Sequence, residues 1–334
     1  MQTTIGNSIE KAAQLLADGQ IVAIPTETVY GLAGNALEAD IVQKIFEAKN
    51  RPAYNPLIVH IAQLDDLTKY AAYIPDLAYD LAQVFMPGPL TLLLPKKALI
   101  PDIVTANLPL VGLRMPNHPV SLSLLQQLNF PLAAPSANPF QYISPTTTAH
   151  VYQQLQGKIP YILEGGPCAK GIESTIIGFD AQTNQPILYR QGALPLFEIE
   201  KIAGKTALAP ALPSNTPLTP GQLRLHYSPR TPLLLTHNLD QTLANLTLNP
   251  NEQIGIIAFT VNTANEAQLK ATYPQIKYIS ILSNNGNLDE AAYNLYNALH
   301  LLDSMGLNLI IAQYAPNYGI GIAINDRLTR ASRQ

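Results

Sequence analysis

Apolar positions in the first two thirds of the chain fall into short, separated runs rather than one sustained period. Ile9, Ala12, Ala13 and Leu16 recur at the spacing of one helical face. Asn7 with Glu10 predicts a capping box ahead of them, and Gly19 the end of the helix. Residues 21–24 read as a buried strand closed by Pro25. Ile41, Val42, Ile45 and Phe46 mark a second amphipathic helix that runs out near Lys49, and residues 57–59 another strand. Further strands are predicted at 90–94, 110–114, 131–133, 161–163, 174–178 and 187–189. Few of these alternate strictly with helices, which favours an α+β domain built on a large twisted mixed sheet.

The rhythm then stops. Residues 206–231 hold Pro210, Pro213, Pro217, Pro220 and Pro229 with little periodicity, and read as an extended linker after a domain at 1–205. From 232 to 334 the pattern is different. Strands at 233–235, 254–259, 278–281 and 309–312 alternate with helices at 239–246, from about 264, and at 288–302. Such alternation predicts a small parallel-sheet domain. No internal repeat or low-complexity segment occurs.

Composition narrows the class. The chain has 334 residues, 47% of them hydrophobic and 13% charged, which suits two globular domains. Its formal net charge of -3 argues against a large basic face, so weak or no direct nucleic-acid binding is expected. One cysteine, Cys168, allows neither an internal disulfide nor a cysteine-based zinc site. The first residues lack the basic start and apolar run of a signal peptide, and no apolar run is long enough for a bilayer. A cytoplasmic protein without a membrane association is expected.

Familiar nucleotide and hydrolase motifs are missing. There is no GxxxxGK[ST] loop, no GxSxG elbow and no HExxH helix. Gly319 and Gly321 lack the third glycine of a dinucleotide fingerprint, and no helix is predicted after them. The six histidines show no metal-ligand spacing, so no metal-binding residue is assigned.

Four polar clusters sit instead at the ends of predicted elements. Pro25-Thr26-Glu27-Thr28-Val29-Tyr30-Gly31 follows the first buried strand; such residues also make ordinary strand exits. Lys49-Asn50-Arg51-Pro52, with Asn55-Pro56 and His60 beyond, places two cations at a helix end. That suits either the helix dipole or a polyphosphate, which Arg grips bidentately and Lys meets as a point charge. Arg114-Met115-Pro116 ends an apolar strand, where an arginine needs an internal acidic partner or a substrate carboxylate. Ala134-Pro135-Ser136-Ala137-Asn138-Pro139 is either a turn or a loop of small residues that a ligand can approach. Gly165-Gly166-Pro167, Glu173-Ser174-Thr175 and Arg190 add a glycine turn, hydroxyls and a further cation.

Taken in order, PTETVYGL, KNRP with NPLIVHI, PGPLT at Pro87 to Thr91, GLRMP, APSAN and ESTII resemble the YrdC/YwlC family of threonylcarbamoyl-AMP synthases over about residues 8–205. Pro220-Gly221, His226-Tyr227-Ser228-Pro229, Gly319-Ile320-Gly321 and Asn325-Asp326-Arg327 resemble its longer, two-domain form. The resemblance implies a YrdC-like first domain with a positive cavity and a Rossmann-like second domain. It implies synthesis of threonylcarbamoyl-AMP and pyrophosphate from L-threonine, bicarbonate and ATP, the first step of t6A modification of tRNA. Mg2+ would accompany ATP, and downstream threonylcarbamoyl-transferase proteins would be partners. Thr28, His60, Arg114, Ala134 and Ser174 match the threonine pocket, with Arg114 on the carboxylate. Arg51, Asn55, Ser136, Ser144, Arg190 and Tyr227 match ATP contacts. Lys49, Arg51, Ser136 and Asn138 match the KxR and SxN elements and are the expected catalytic set. A related carbamoyl-adenylate enzyme of hydrogenase maturation would carry acylphosphatase and zinc-finger segments, which this chain lacks. An RNA-binding module is disfavoured by the acidic charge.

Overall fold

The computed structural model describes residues 1–209, 217–223, 225–260 and 263–332. The chain divides into two compact units, Met1–Phe140 with Ser144–Leu223, and Gln141–Ile143 with the chain beyond Leu223.

The strands of the first unit are β1 (Thr4–Gly6), β2 (Val22–Ile24), β3 (Gly31–Asn35), β4 (Ile58–His60), β5 (Leu90–Pro95), β6 (Leu110–Arg114), β7 (Leu132–Ala133), β8 (Tyr161–Leu163), β9 (Thr175–Phe179), β10 (Pro186–Arg190) and β11 (Ala207–Leu208). They form one mixed sheet in the order β1-β8-β2-β3-β7-β4-β6-β5-β9-β10-β11. Its helices are α1 (Ile9–Ala17), α2 (Ala39–Lys49), α3 (Asp66–Tyr70), α4 (Asp76–Phe85), α5 (Pro119–Gln126), α6 (Thr148–Leu155) and α7 (Leu196–Ala203). Two apolar clusters hold them on the sheet. One joins Ile45 of α2 and Leu81 of α4 to Leu32, Val59, Leu92 and Leu113. The other joins Leu16 of α1 and Leu124 of α5 to Ile24 and Leu132.

Several boundaries differ from the pattern in the sequence. The cap of α1 is Ser8, not Asn7: its hydroxyl oxygen accepts from the Lys11 amide at 3.1 Å and donates to Glu10. Part of the proline-rich stretch belongs to the first unit. β11 pairs with β10, the Gln222 amide donates to the Tyr189 carbonyl, and Arg190 donates to the Pro220 carbonyl. The prolines at 210 and 213 lie outside the described residues.

The second unit alternates β12 (Leu233–Thr236), α8 (Leu239–Asn245), β13 (Ile254–Ala258), α9 (Thr263–Thr272), β14 (Ile276–Ile281), α10 (Leu288–Asp303), β15 (Leu309–Gln313) and α11 (Gly321–Ala331). All ladder pairs are parallel, in the order β12-β15-β13-β14. Ile254, Ile256, Ile279 and Ile311 pack with Leu239 and Leu243 of α8 in its core. The Gly319-Ile320-Gly321 run does lead into a helix, α11, contrary to the sequence expectation. A side chain on Gly321 would put Cβ 2.0 Å from the Pro316 carbonyl oxygen, so the glycine lets the chain turn tightly into that helix. No helix among the described residues is long and apolar enough to cross a membrane.

Candidate active site

The two cations of the KNRP run serve different loops because α2 ends between them. Asn50 caps the helix in the left-handed region (φ 49), and the Arg51 amide returns to the Phe46 carbonyl at 2.9 Å. Lys49 therefore stays on the helix and Arg51 turns away. The Lys49 ammonium donates to the main-chain carbonyls of Ser136 and Asn138, tying the KxR and SxN elements together. Lys49 is 1% exposed, and burial, with the Arg51 charge nearby, holds its ammonium well below the usual lysine range. Arg51 donates to the carbonyls of Asn55 (3.2 Å) and Pro56 (2.9 Å). Asn55 is fully buried, yet neither atom of its side-chain amide has a hydrogen-bond partner among the described residues. A buried amide in that state is unusual, and a bound ligand would satisfy it.

A second group forms around Arg114. β4 and β6 run parallel with His60 opposite Arg114, so both side chains leave the sheet on one face. Arg114 Nη2 donates to Glu27 Oε1 at 2.7 Å and to Thr28 Oγ1 at 2.9 Å, while Nε donates to the Gly88 carbonyl at 3.3 Å. The internal acidic partner that the buried arginine required is thus Glu27, from the PTETVYG run. Thr28 also shares a hydrogen bond with Thr26, whose hydroxyl donates to the Val29 carbonyl and fixes the turn. Burial, then the Arg114 charge, lowers the His60 imidazole to about 3, so it is neutral near physiological pH.

Ser174 links the remaining elements. Its hydroxyl lies 2.7 Å from that of Thr91 and accepts from Arg190 Nη2 at 3.0 Å, while Arg190 Nε donates to its carbonyl. Next to it, Glu173 accepts from the Ser144 hydroxyl at 2.8 Å. Gly192 makes this crossing possible, because a Cβ there would lie 2.3 Å from the Ser174 carbonyl carbon.

Thr28, His60, Arg114, Ala134 and Ser174, with Lys49, Arg51, Asn55, Ser136, Asn138, Ser144 and Arg190, all lie in the first unit. Of these, Thr28 meets Arg114, Arg114 is in register with His60, Ser174 meets Arg190, and Lys49 meets the Ser136–Asn138 loop. Ala134 is held by its amide on the Ile58 carbonyl, two residues before His60. Tyr227 is in the second unit, buried beside Tyr296 (ring centroids 5.7 Å apart) and under the Arg327 guanidinium (5.4 Å). Three participants carry no role in the sequence reading: Glu27, Gly88 and Thr91. Glu27 was detectable as a carboxylate inside a motif whose partner strand ends in a buried arginine. The other two lie in the PGPLT run but act through a carbonyl and a shared hydroxyl.

A crevice of about 510 Å3 lies elsewhere, at the carboxyl ends of the second sheet, lined by His237, Asp240, Thr260, Tyr273 and Gln313 among others. Among the described residues its lining has no lysine or arginine, so it is a poor phosphate site. The cation-rich first unit is the better candidate.

Residues 14–192 match the Sua5_yciO_yrdC family model, described as "Telomere recombination". Residues 195–333 match Sua5_C, described as "Threonylcarbamoyl-AMP synthase, C-terminal domain". The threonylcarbamoyl-AMP synthase of Pyrococcus abyssi is 38% identical over 335 residues, covering 97% of this chain and 94% of that protein. That of Bacillus subtilis is also 38% identical, covering 97% and 92%. The chain belongs to the threonylcarbamoyl-AMP synthase family. The fold agrees: the crystal structure of P. abyssi Sua5 complexed with L-threonine superposes with a TM-score of 0.87 at 36% identity, over 99% of this chain and 97% of that one. Family membership thus accounts for both the mixed sheet of the first unit and the parallel sheet of the second.

Proposed function

We propose that the chain is a nucleotidyltransferase that condenses L-threonine, bicarbonate and ATP into threonylcarbamoyl-AMP and pyrophosphate. The observation that carries this reading is that motifs far apart in sequence meet through buried polar contacts. The KxR and SxN runs meet at Lys49, the TET and GLRMP runs at Arg114, and the PGPLT and EST runs at Ser174 and Arg190.

In the proposed reaction the threonine amine captures bicarbonate or CO2 to give an N-carboxylate. That carboxylate attacks the α-phosphorus of ATP, and pyrophosphate leaves. Arg114 would hold the threonine carboxylate, with Thr28, His60, Ala134 and Ser174 around it. Arg51, Asn55, Ser136, Ser144 and Arg190 would hold ATP. Asn55 supports this, because its unsatisfied buried amide offers both a donor and an acceptor. The Ser136 hydroxyl makes no hydrogen bond among the described residues, so it too can serve a ligand. Lys49 acts in part through the loop it holds: its ammonium is engaged by two carbonyls, which fixes Ser136 and Asn138. Mg2+ enters as part of the MgATP substrate. Among the described residues no group of three or more His, Cys, Asp or Glu is placed to hold an ion. Positioning and charge neutralisation supply most of the rate, since little covalent chemistry falls to the protein. The product would pass to a threonylcarbamoyl transferase acting on tRNA.

The test is pyrophosphate release with threonine and bicarbonate both present, against controls lacking either. Lys49→Met and Arg51→Met should each lower it by about a hundredfold or more. Near-normal turnover in both variants would sink the assignment. So would pyrophosphate release that ignores threonine.

A further inference from the structure

We propose that Glu27 takes the proton from the α-ammonium of the bound threonine, making the amine nucleophilic. This role rests on the reaction proposed above and adds to it a catalytic residue that the motif matches do not name.

Glu27 is only 6% exposed and holds Arg114 through one oxygen alone. Its other oxygen, Oε2, is buried without a hydrogen-bond partner among the described residues. A carboxylate oxygen left dry and unpaired is costly, and the site lacks one donor. Arg114 has the complementary gap. Its Nη2 serves Glu27 and Thr28 and its Nε serves Gly88, while Nη1 makes no hydrogen bond among the described residues. A substrate carboxylate on Nη1 would sit beside the Glu27 carboxylate on the same guanidinium. In an α-amino acid the nitrogen is one carbon away from that carboxylate. The ammonium is thereby brought to the Glu27 oxygen that needs a donor.

Chemistry asks for such a group. An ammonium has no lone pair and cannot add to carbon. With Glu27 as acceptor, R–NH3+ and Glu–COO− give R–NH2 and Glu–COOH. The amine lone pair then forms the C–N bond to bicarbonate carbon. The C–OH bond breaks, and the departing hydroxide takes the surplus N–H proton. R–NH2 and HCO3− thus give R–NH–COO− and water, and Glu–COOH later returns its proton to solvent. Addition to bicarbonate draws the unfavourable first transfer forward.

Nearby alternatives are weaker. His60 is the other candidate base, but burial leaves its imidazole a poor proton acceptor. Glu173 already takes the Ser144 hydroxyl. The groups facing Glu27 are Arg114 at the end of β6, His118 ahead of α5, and Cys168 from the loop after β8. Burial lowers the imidazole of His118 and raises the thiol of Cys168, so near neutrality both favour their uncharged forms. Arg114 is left as the one charged neighbour among the three.

The experiment compares wild type, Glu27→Gln and Glu27→Asp by threonine- and bicarbonate-dependent pyrophosphate release across pH. Glutamine keeps an oxygen for Arg114 but cannot act as the base. Its kcat should fall about a hundredfold at neutral pH. It should then climb about tenfold per pH unit toward the range where threonine carries a free amine. Wild type should be nearly flat over the same interval. Aspartate keeps the charge, so it should be slower but equally flat, and it carries the test should the glutamine variant fail to fold. A Glu27→Gln kcat within about threefold of wild type would overturn the role. So would a loss by the same factor at every pH, or a steep profile for Glu27→Asp. If wild type itself shows no threonine-dependent release, the proposed reaction is what fails, not this assignment.

Discussion

Replacing His60 by glutamine should change the pH dependence of stability more than its level at neutrality. His60 is 2% exposed, and its imidazole titrates at about 3, because burial and the Arg114 charge outweigh hydrogen bonding with the backbone of Ile58 and Leu132. In the unfolded chain the same ring titrates at about 6.5. Between these values the unfolded chain holds the proton and the folded chain does not, so unfolding takes up close to one proton. Stability from the neutral ring is therefore complete above about pH 6.5 and is lost as pH falls toward about 3. One proton corresponds to about 1.4 kcal/mol per pH unit, so moving from about pH 6 to about pH 4 should cost roughly 2–3 kcal/mol from His60 alone. Urea unfolding followed by far-UV circular dichroism at several pH values would measure this in wild type and in His60→Gln. Carboxylates common to both proteins cancel in the difference. Lost packing in the variant shifts its curve vertically without tilting it. The wild-type curve should fall more steeply with acid by about 1 kcal/mol per pH unit. Parallel curves would refute the buried, neutral imidazole and with it the assigned surroundings of the Arg114 pair.

Arg114→Leu leaves Glu27 as a buried, unpaired carboxylate and should destabilise the first unit by about 3–5 kcal/mol in denaturant titration. Arg114→Leu with Glu27→Leu should recover most of that, and a double variant no better than the single would show that the loss does not come from the unpaired Glu27 carboxylate. Gly192→Ala places a methyl group 2.3 Å from the Ser174 carbonyl carbon and 2.4 Å from the Glu173 carbonyl oxygen. Backbone must move, costing about 1–3 kcal/mol and weakening ATP-dependent turnover, while an unchanged enzyme would show the crossing to be looser than described. Cys168 is buried and its thiol is pushed well above the usual cysteine range by burial. It should therefore resist a thiol-disulfide reagent in the native protein and react fully in denaturant; prompt native reaction would refute its burial.

Elements that rest on a strong apolar run were legible in the sequence. β5 and β13 are such runs, buried along almost their whole length. β3 was not, because Gly31-Leu32-Ala33-Gly34-Asn35 is buried at every position and therefore shows no alternation, and two of its five residues have no side chain to report. α4 carries Ala78, Leu81, Ala82 and Phe85 at helical spacing, a signal present in the chain between two stronger strands. α11 was hidden by the glycines that open it. In the site, the need for an acid beside Arg114 followed from the cost of burying a guanidinium, but its identity did not. The first unit's motifs hold two carboxylates, Glu27 and Glu173, and the turn at Thr26–Thr28 is what brings Glu27 to Arg114. The Lys49 contacts left no residue-type signal at all, since they end on main-chain carbonyls.

Two of the buried cations, Arg114 and Lys49, are compensated in different ways, and this bears on which substrate each region suits. Arg114 shares its charge with Glu27, so the pair is neutral as a whole while presenting one cationic and one anionic group side by side. A zwitterionic amino acid, with an ammonium one carbon from its carboxylate, is complementary to that arrangement; a simple carboxylic acid meets only half of it. Among the described residues Lys49 has carbonyl partners and no carboxylate, so its region keeps any positive charge it holds. A triphosphate gains from such a field, and a neutral zwitterion does not. Burying an ammonium among neutral acceptors is costly, and burial with the Arg51 charge nearby lowers its titration accordingly. A protein that needed Lys49 only to fasten the 136–138 loop could have used an uncharged donor. Retaining lysine there makes sense if the field it adds, together with Arg51 on the adjoining turn, is itself what the triphosphate meets.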